Sequence, residues 1–447
     1  MTNVLIYMSD EHNPRFSSPY GHPLVETPNM ARLAAVGTVF ESAYCPSPLC
    51  APSRASFMAG KPVHQVQVYN NCVVREFDYP SYGGVLREGG VQTAYAGKVD
   101  VYRHSSELGF SELLSPGDRQ APGDTNFRRQ PLAIRADGPR RASGYGVRPD
   151  AFEKDTRTVD GAIEWLERRA PQLEGPWTLT VNTNAPHFPH YVTQELWDKY
   201  EAGADLPAHG ADCASAQHPY AQDLRAHFGT DAFSEEQIRG LRRGYLGCVE
   251  WVDRQLGHLL DALEASGQGA DTVVAYTSDH GEMLGKFGLW WKCSLFEDAA
   301  RVPLIVAGPG FATGARVRTP VGLLDLQASI FHAVGRKRPA GWWGEPLQTI
   351  LADDPERAVF AEYHGHGTRS GAYMVRRGLW KLIYNMAAPH QLFNLADDPE
   401  ELRDRAGEEP AILRDLEREL RRFCSPEEEN RRAHEFEQYQ YDALSLV

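Results

Sequence analysis

Asn3-Val-Leu-Ile-Tyr-Met8, followed directly by Ser9-Asp10, is an unbroken apolar run that turns polar at its carboxyl end. Such a run, without alternation, reads as a strand buried on both faces, the kind found in parallel sheets covered by helices. Two later runs share the design: Thr178–Asn182 leads to Pro186-His187, and Thr272–Thr277 leads to Ser278-Asp279-His280. Ligands of open α/β sheets sit outside the carboxyl ends of the strands, so these polar residues are expected to converge.

The segments between the strands carry helix signals. Thr27-Pro28 combines an N-cap residue with proline at the first helical position, predicting a helix through Val36 that Gly37 ends. A second helix is expected after Thr156. Ser234 and Gln237 form a capping-box pair. Behind them Ile238, Leu241, Tyr245, Val249, Val252, Leu256, Leu259 and Leu263 recur at steps of three or four, a core-facing stripe. The fold class is α/β, with a large, mixed but mostly parallel central sheet flanked by helices. Residues 1–354 form the expected catalytic domain. From 355 to 447 the texture changes: Ala372–Arg377 and Leu379–Tyr384 flank Gly378 as a hairpin, Pro410–Phe423 is amphipathic, and a small α+β C-terminal subdomain is expected. The stretches 115–149 and 203–222 lack periodicity and read as long surface excursions that shape a pocket.

The chain has 447 residues with 46 basic and 60 acidic side chains, a net charge of −14 that argues against sequence-independent nucleic-acid binding. Any anionic ligand needs local positive charge. Seven scattered cysteines without metal-finger spacing fit a reducing compartment. The first strand begins with no basic and apolar leader before it, and no run reaches the ~18 apolar residues of a membrane span. A soluble, cytoplasmic protein is expected, with no membrane partner.

Cys50-Ala-Pro-Ser-Arg54 follows Pro46 and Pro48 and precedes a short helix, so the Cys50 side chain is expected at a helix N-terminus, where negative charge is favoured. For a cysteine taken alone, ordinary burial is the plainer reading. Cys-x-Pro-Ser-Arg with Gly60 six residues after the arginine resembles the signature of the type I, formylglycine-dependent sulfatases of the alkaline phosphatase superfamily. The resemblance continues in family order through Met8-Ser-Asp-Glu-His12, Gly97-Lys98, Pro186-His187, Ser278-Asp-His-Gly281, Lys292 to Arg301-Val-Pro-Leu304, and Gln391–Glu400. Val68-Tyr-Asn-Asn71 and Trp290-Trp-Lys292 place it nearest the choline-sulfatase-like and arylsulfatase-K-like branches.

This resemblance implies an alkaline-phosphatase-like sandwich and a sulfuric ester hydrolase acting on a small anionic ester, an aryl or carbohydrate sulfate monoester. It implies that a formylglycine-generating enzyme converts Cys50 to an aldehyde whose hydrate is the nucleophile. It also implies one divalent metal ion, usually calcium, held by Asp10, Glu11, Cys50, Asp279 and His280. His280 stands where many relatives have asparagine, which brings manganese or magnesium into consideration. An Asp-His pair alone would equally serve in capping or a buried ion pair.

Arg54, Lys98, His187 and Lys292 carry over as catalytic residues, with Lys98, His187 and Lys292 also binding substrate. His187 is the implied general acid for the leaving alcohol. Asp100 replaces the histidine of the family's Gly-Lys-x-His element, and His104 is expected to supply that imidazole from a nearby loop. Asn70, Asn71, Arg103 and Trp290 are candidate pocket residues. Glu297 is expected to hold nearby positive charge, and the tail Glu435–Tyr441 lacks the aromatic-proline pattern expected for choline recognition. A phosphonate or phosphate ester hydrolase and an inactive binding protein of the same family are the alternatives, and a homo-oligomer is compatible with the charged tail.

Overall fold

The computed structural model describes residues 2–72, 74 and 79–445. Eight strands build the central sheet: β1 (Asn3–Asp10), β2 (Gly37–Phe40), β3 (Gln92–Lys98), β4 (Glu112–Gly117), β5 (Trp177–Pro186), β6 (Thr272–Ser278), β7 (Leu304–Ala307) and β8 (Ala315–Val317). Their spatial order is β8-β2-β7-β6-β1-β5-β3-β4. Only the two pairings made by β7 are antiparallel, and the other five are parallel. The sheet is therefore mixed and mostly parallel, as its apolar runs predict.

Every residue of β1 is buried. Leu5 and Tyr7 join one core cluster, while Val4, Ile6 and Met8 join the cluster on the opposite face. A strand with helices on both sides must be apolar at every position, which is why no alternation shows in its sequence.

Helices α1 (Pro28–Val36), α2 (Cys50–Ala59), α3 (Glu153–Glu164), α4 (Glu235–Ala265) and α5 (Leu323–Ala333) cover the faces. The predicted capping box opens α4: Ser234 Oγ accepts from the Gln237 amide at 3.2 Å, and the Gln237 side chain accepts from the Ser234 amide at 2.9 Å. Of the predicted stripe, the residues from Leu241 to Leu263 are buried and Ile238 is half-buried. The helix expected after Thr156 starts earlier, at Glu153. Thr27 precedes α1 without capping it, because its hydroxyl is engaged by the amide and hydroxyl of Ser18. Gly37 both follows α1 and opens β2.

The C-terminal region forms a separate antiparallel sheet of β9 (Ala358–Tyr363), β10 (Ala372–Arg377), β11 (Trp380–Asn385) and β12 (Gln391–Asn394). The hairpin pairs Arg377 with Trp380, so Leu379, read as strand in the sequence, belongs to the turn beside Gly378. Helix α6 (Pro410–Phe423) packs Leu416 and Leu420 against Tyr373, Val375, Leu382 and Leu392, and α7 (Pro426–Leu444) follows. All seven cysteines are free. No helix among the described residues is long and apolar enough to cross a membrane.

Candidate active site

Strand register brings the polar punctuation together. Ser9 pairs with Ser278, Asp10 with Pro186, and Gly97 with Asn182, so β1, β3, β5 and β6 deliver their carboxyl ends to one place. Helix α2 starts there. Its first residue, Cys50, lies after Leu49 in extended conformation, and all ten residues of the helix are buried. The Asn71 side-chain oxygen accepts from the Ala51 amide at 3.0 Å and fixes the first turn.

Cys50 Sγ is 3.2 Å from His280 Nε2 and 4.0 Å from Asp10 Oδ1. Single donor atoms of Asp10, Cys50, Asp279 and His280 lie within 4.8 Å of one another. The His280 Nδ1–H donates to the Gly281 carbonyl at 3.0 Å, which leaves Nε2 facing the two carboxylates, each at 3.8 Å. A hydrogen bond on one ring nitrogen that frees the other is how metal-bound imidazoles are oriented. The donor set and burial fit a divalent cation. Glu11 belongs to a second grouping, with Asp10 and His187. Its Oε2 is 2.9 Å from Lys292 Nζ, while its buried Oε1 has no hydrogen-bond partner in this structure.

Arg54 ties the cluster together. Nε donates to Asp279 Oδ2 at 2.8 Å, Nη2 reaches Asp10 Oδ2 at 3.3 Å, and Nη1 donates to Asn182 Oδ1 at 2.9 Å. The planar fork serves two carboxylates and an amide at once, which an ammonium cannot reproduce. Lys98 Nζ is bonded to Asp10 Oδ2 and lies 3.3 Å from Asp100 Oδ2. Lys292 Nζ is 2.6 Å from His187 Nε2. His187 Nδ1 lies 2.6 Å from its own neighbour's carbonyl, that of Phe188, which directs Nε2 toward Lys292, Glu11 and Asp10.

The charges perturb one another strongly. Burial opposes ionisation of Asp10, yet Lys98, His187, Arg54 and His280 hold its carboxyl well below the usual range. Burial raises Asp279 to about 6 against the pull of Arg54, and raises Glu11 to about 7 against Lys292 and His187. His280 rises to about 10 despite burial, because Asp279 and Cys50 favour its charged form. Burial and Asp10 oppose the Cys50 thiolate, but Lys292, Lys98 and His280 pull the thiol well below its normal value. Perturbation on this scale in one cluster is typical of functional sites.

A cleft of about 500 Å³ opens above Lys292 and His187, lined also by Asn71, Arg119, Asp124, Arg135, Arg141, Trp291 and His366. The 115–149 excursion supplies much of this wall. The 203–222 excursion supplies none of its lining residues. Of the pocket candidates, Asn71 is at the cleft. Arg103 pairs with Glu107 at 3.1 Å, Asn70 is bound to Gln440 at 2.7 Å, and Trp290 packs near Phe233, all off the cleft lining.

His104 is not brought to Cys50. It caps the short turn Ser105–Glu107, its side chain is 65% exposed, and its Nε2 faces Asp118 at 3.4 Å. Asp100 instead takes a bidentate grip on Arg119, with Nη2 to Oδ2 at 2.6 Å. Nothing local in the sequence singled out Arg119, which sits in an arginine-rich aperiodic stretch. His12 hydrogen-bonds Tyr276 at 2.6 Å in the core, and Glu297 holds Lys381 at 2.9 Å.

Comparison with known proteins gives the same picture. The family profile described as Sulfatase matches residues 2–336, and one described as N-sulphoglucosamine sulphohydrolase, C-terminal, matches residues 285–425. The chain is 33% identical to a choline-sulfatase of Rhizobium meliloti, covering 90% of this chain and 81% of that one. It is 27% identical to arylsulfatase K of Danio rerio, covering 98% and 87%. Among solved structures, the phosphonate monoester hydrolase of Agrobacterium radiobacter superposes with a TM-score of 0.76 at 22% identity, covering 95% of each chain. A 2-O GAG sulfatase gives 0.74 at 21%, covering 94% of this chain and 91% of that one. At those identities the superpositions speak for the fold, while the profile spans most of the sequence: the chain belongs to the sulfatase family.

Proposed function

We propose that this chain is a metal-dependent sulfuric ester hydrolase that releases inorganic sulfate from an aryl or carbohydrate sulfate monoester. One observation carries the reading: Cys50, at the start of a buried helix, shares a metal-competent cluster with Asp10, Asp279 and His280 and is within electrostatic reach of Lys98 and of Lys292, which sits beside His187. On this reading a formylglycine-generating enzyme oxidises Cys50, and Sγ marks the position of the aldehyde carbon's oxygens. The hydrated aldehyde supplies a nucleophile and, through its second hydroxyl, a route for expelling sulfate without attack by water.

Asp10, Asp279 and His280, with Glu11 alongside, would hold the cation, which would supply Lewis-acid charge at the sulfate. Calcium suits the carboxylates, and the nitrogen donor of His280 extends the choice to manganese. Arg54 keeps both carboxylates aimed inward. Lys98 and Lys292 stand as preorganised donors for the tetrahedral anion. His187 Nε2 accepts from the Lys292 ammonium at 2.6 Å, so the pair is placed to pass a proton to the leaving alcohol, and the Nδ1–H donated to the Phe188 carbonyl keeps the ring in place.

The test is enzyme made in a host that carries the modifying enzyme. The peptide containing Cys50 should show aldehyde in place of thiol by mass spectrometry, and sulfate esters should turn over faster than phosphonate or phosphate esters with the same leaving group. Dominant phosphonate turnover, or an unmodified thiol together with full activity in Cys50→Ala, refutes the assignment.

A further inference from the structure

Lys98 ends β3, Arg54 lies in α2 and Lys292 in the loop beyond β6, and Arg119 is a fourth cation that comes from the 115–149 excursion. Its Nε and Nη2 both bind Asp100, and Asp100 Oδ2 also lies 3.3 Å from Lys98 Nζ. One carboxylate thus sits between two cations and fixes both. Asp100 is 3% exposed and adopts the left-handed region at φ 53, a conformation an L-residue keeps only where its surroundings enforce it.

The stem of Arg119 is equally constrained. Gly123, at φ +74, passes so close that an added Cβ would meet the Asn71 carbonyl at 2.3 Å and the Arg119 Cδ at 3.3 Å. The same Asn71 anchors the first turn of α2 through Ala51. Excursion, guanidinium and nucleophile helix are therefore one packed unit. With Nε and Nη2 used by Asp100, Nη1 has no hydrogen-bond partner among the described residues, and Arg119 lines the cleft together with Asn71, His187 and Lys292. Burial opposes its charge, but Asp100 and, next, the charge at Cys50 outweigh it, so Arg119 is within electrostatic reach of the nucleophile. The outer arginines differ. Arg135 is spent on Asp124 and Asp137, at 2.8 and 2.9 Å, and Arg141 lies over the rings of Phe188 and Trp291.

We propose that Arg119 is a sulfate-binding residue, its free edge directed at the ester's sulfate group, and that Asp100 is the positioning residue that aims it. This rests on the sulfatase reading above. It also gives a physical role to Asp100 where an imidazole was expected: the carboxylate presents a guanidinium in place of a ring.

The experiment uses the full-length, modified, metal-loaded enzyme. Turnover is measured on a simple aryl sulfate with no second charged group and on a sugar sulfate, together with inhibition by inorganic sulfate. Arg119→Gln should lower kcat/KM about 100-fold on both esters, the usual effect of removing one preorganised donor to a developing anion. It should weaken inhibition by inorganic sulfate about tenfold, the signature of a lost charge-assisted contact. Arg119→Lys keeps the charge but not the fork, so a fall of about tenfold is expected, and this variant carries the test if the glutamine variant fails to fold. Asp100→Asn should shift the same two parameters in the same direction. Aryl sulfate turnover and sulfate inhibition within about twofold of wild type in both Arg119 variants would overturn the proposal, since even a weak hydrogen bond to an anion exceeds that. A loss confined to esters bearing a second anionic group would overturn it too, by placing Arg119 on the leaving group. If the wild-type enzyme releases no sulfate, the function itself fails; if it does and Arg119→Gln matches it, only this inference fails.

Discussion

Lys381→Met should destabilise the protein by severing the buried tie between the segment following Lys292 and the C-terminal sheet. Lys381 is 0% exposed on β11, and its Nζ lies 2.9 Å from Glu297 Oε1 and 2.8 Å from Glu401 Oε1. Glu401 Oε2 in turn accepts from the Glu297 amide at 2.7 Å, so the cation links the segment following Lys292 to the C-terminal sheet. Burial tends to raise the Glu297 carboxyl, but Lys381, then Arg301 and Arg376, bring it down to about 2. Relative to the usual glutamate value of 4.5, that shift corresponds to roughly 3 kcal/mol. Removing one partner of a buried ion pair costs about 3–5 kcal/mol, and here one cation serves two carboxylates. With a urea slope near 3 kcal/mol/M, the unfolding midpoint should fall by about 1–2 M.

The pH dependence has a definite sign. A depressed carboxyl contributes its full stability above the unfolded value of about 4.5 and loses it as pH falls toward 2. In Lys381→Met the Glu297 carboxyl loses the cation that depresses it and Glu401, which burial already raises, rises further, so the deficit is greatest at pH 7 and shrinks toward pH 5. The triple variant Glu297→Gln, Lys381→Met, Glu401→Gln removes all three charges and should recover most of the loss. Tryptophan fluorescence during urea unfolding reads all of these. A midpoint for Lys381→Met within about 0.3 M of wild type, or a triple variant as weak as the single one, refutes the reasoning.

His187→Asn should cost about 10²–10⁴ in kcat/KM on a sugar sulfate, whose alkoxide must be protonated, and far less on a nitrophenyl sulfate. Equal losses would remove His187 from the proton transfer. A metal chelator should abolish turnover and lower the melting temperature, because a ligand that binds only the folded state is then lost and Asp10 and Asp279 are left with Arg54 as the arginine they share; an unchanged melting curve counts against the cation site. His280→Asn exchanges a nitrogen donor for an oxygen donor, so activity restored by calcium should rise relative to that restored by manganese. An unchanged ratio would exclude His280 from the donor set.

The fold was legible where structure follows from local sequence. A strand buried on both faces is apolar throughout, so β1, β5 and β6 announce themselves, and the Ser234–Gln237 box needs only its own residues. The cluster around Cys50 was legible for the same reason: Asp10, Asp279 and His280 follow strand ends, and Cys50 and Arg54 open a helix. Legibility stopped where partners are distant in sequence. Thr27 reads as a cap, yet Ser18 takes its hydroxyl. His104 lies close to Lys98 in sequence, but the left-handed turn at Asp100 and its grip on Arg119 leave that histidine outside. Arg119 lies in a segment without periodicity and takes its partner, Asp100, from outside that segment, a pairing that nothing local announces.

An acidic chain that binds an anion was expected to gather positive charge, and the site answers that requirement in a particular way. Each cation arrives with a carboxylate: Arg54 with Asp10 and Asp279, Lys98 with Asp10, Lys292 with Glu11, Arg119 with Asp100. What is concentrated is therefore oriented donors rather than net charge. Those carboxylates hold long side chains in fixed rotamers before substrate arrives, so little reorganisation remains for the reaction itself. They also attenuate the field that an incoming sulfate meets. A divalent cation shared by Asp10 and Asp279 would neutralise the acidic partners of Arg54 and Lys98 and leave their charge to the ester. Anion affinity should accordingly rise with metal occupancy. It should respond only weakly to added salt, because the pairs are buried and screening acts on exposed charges.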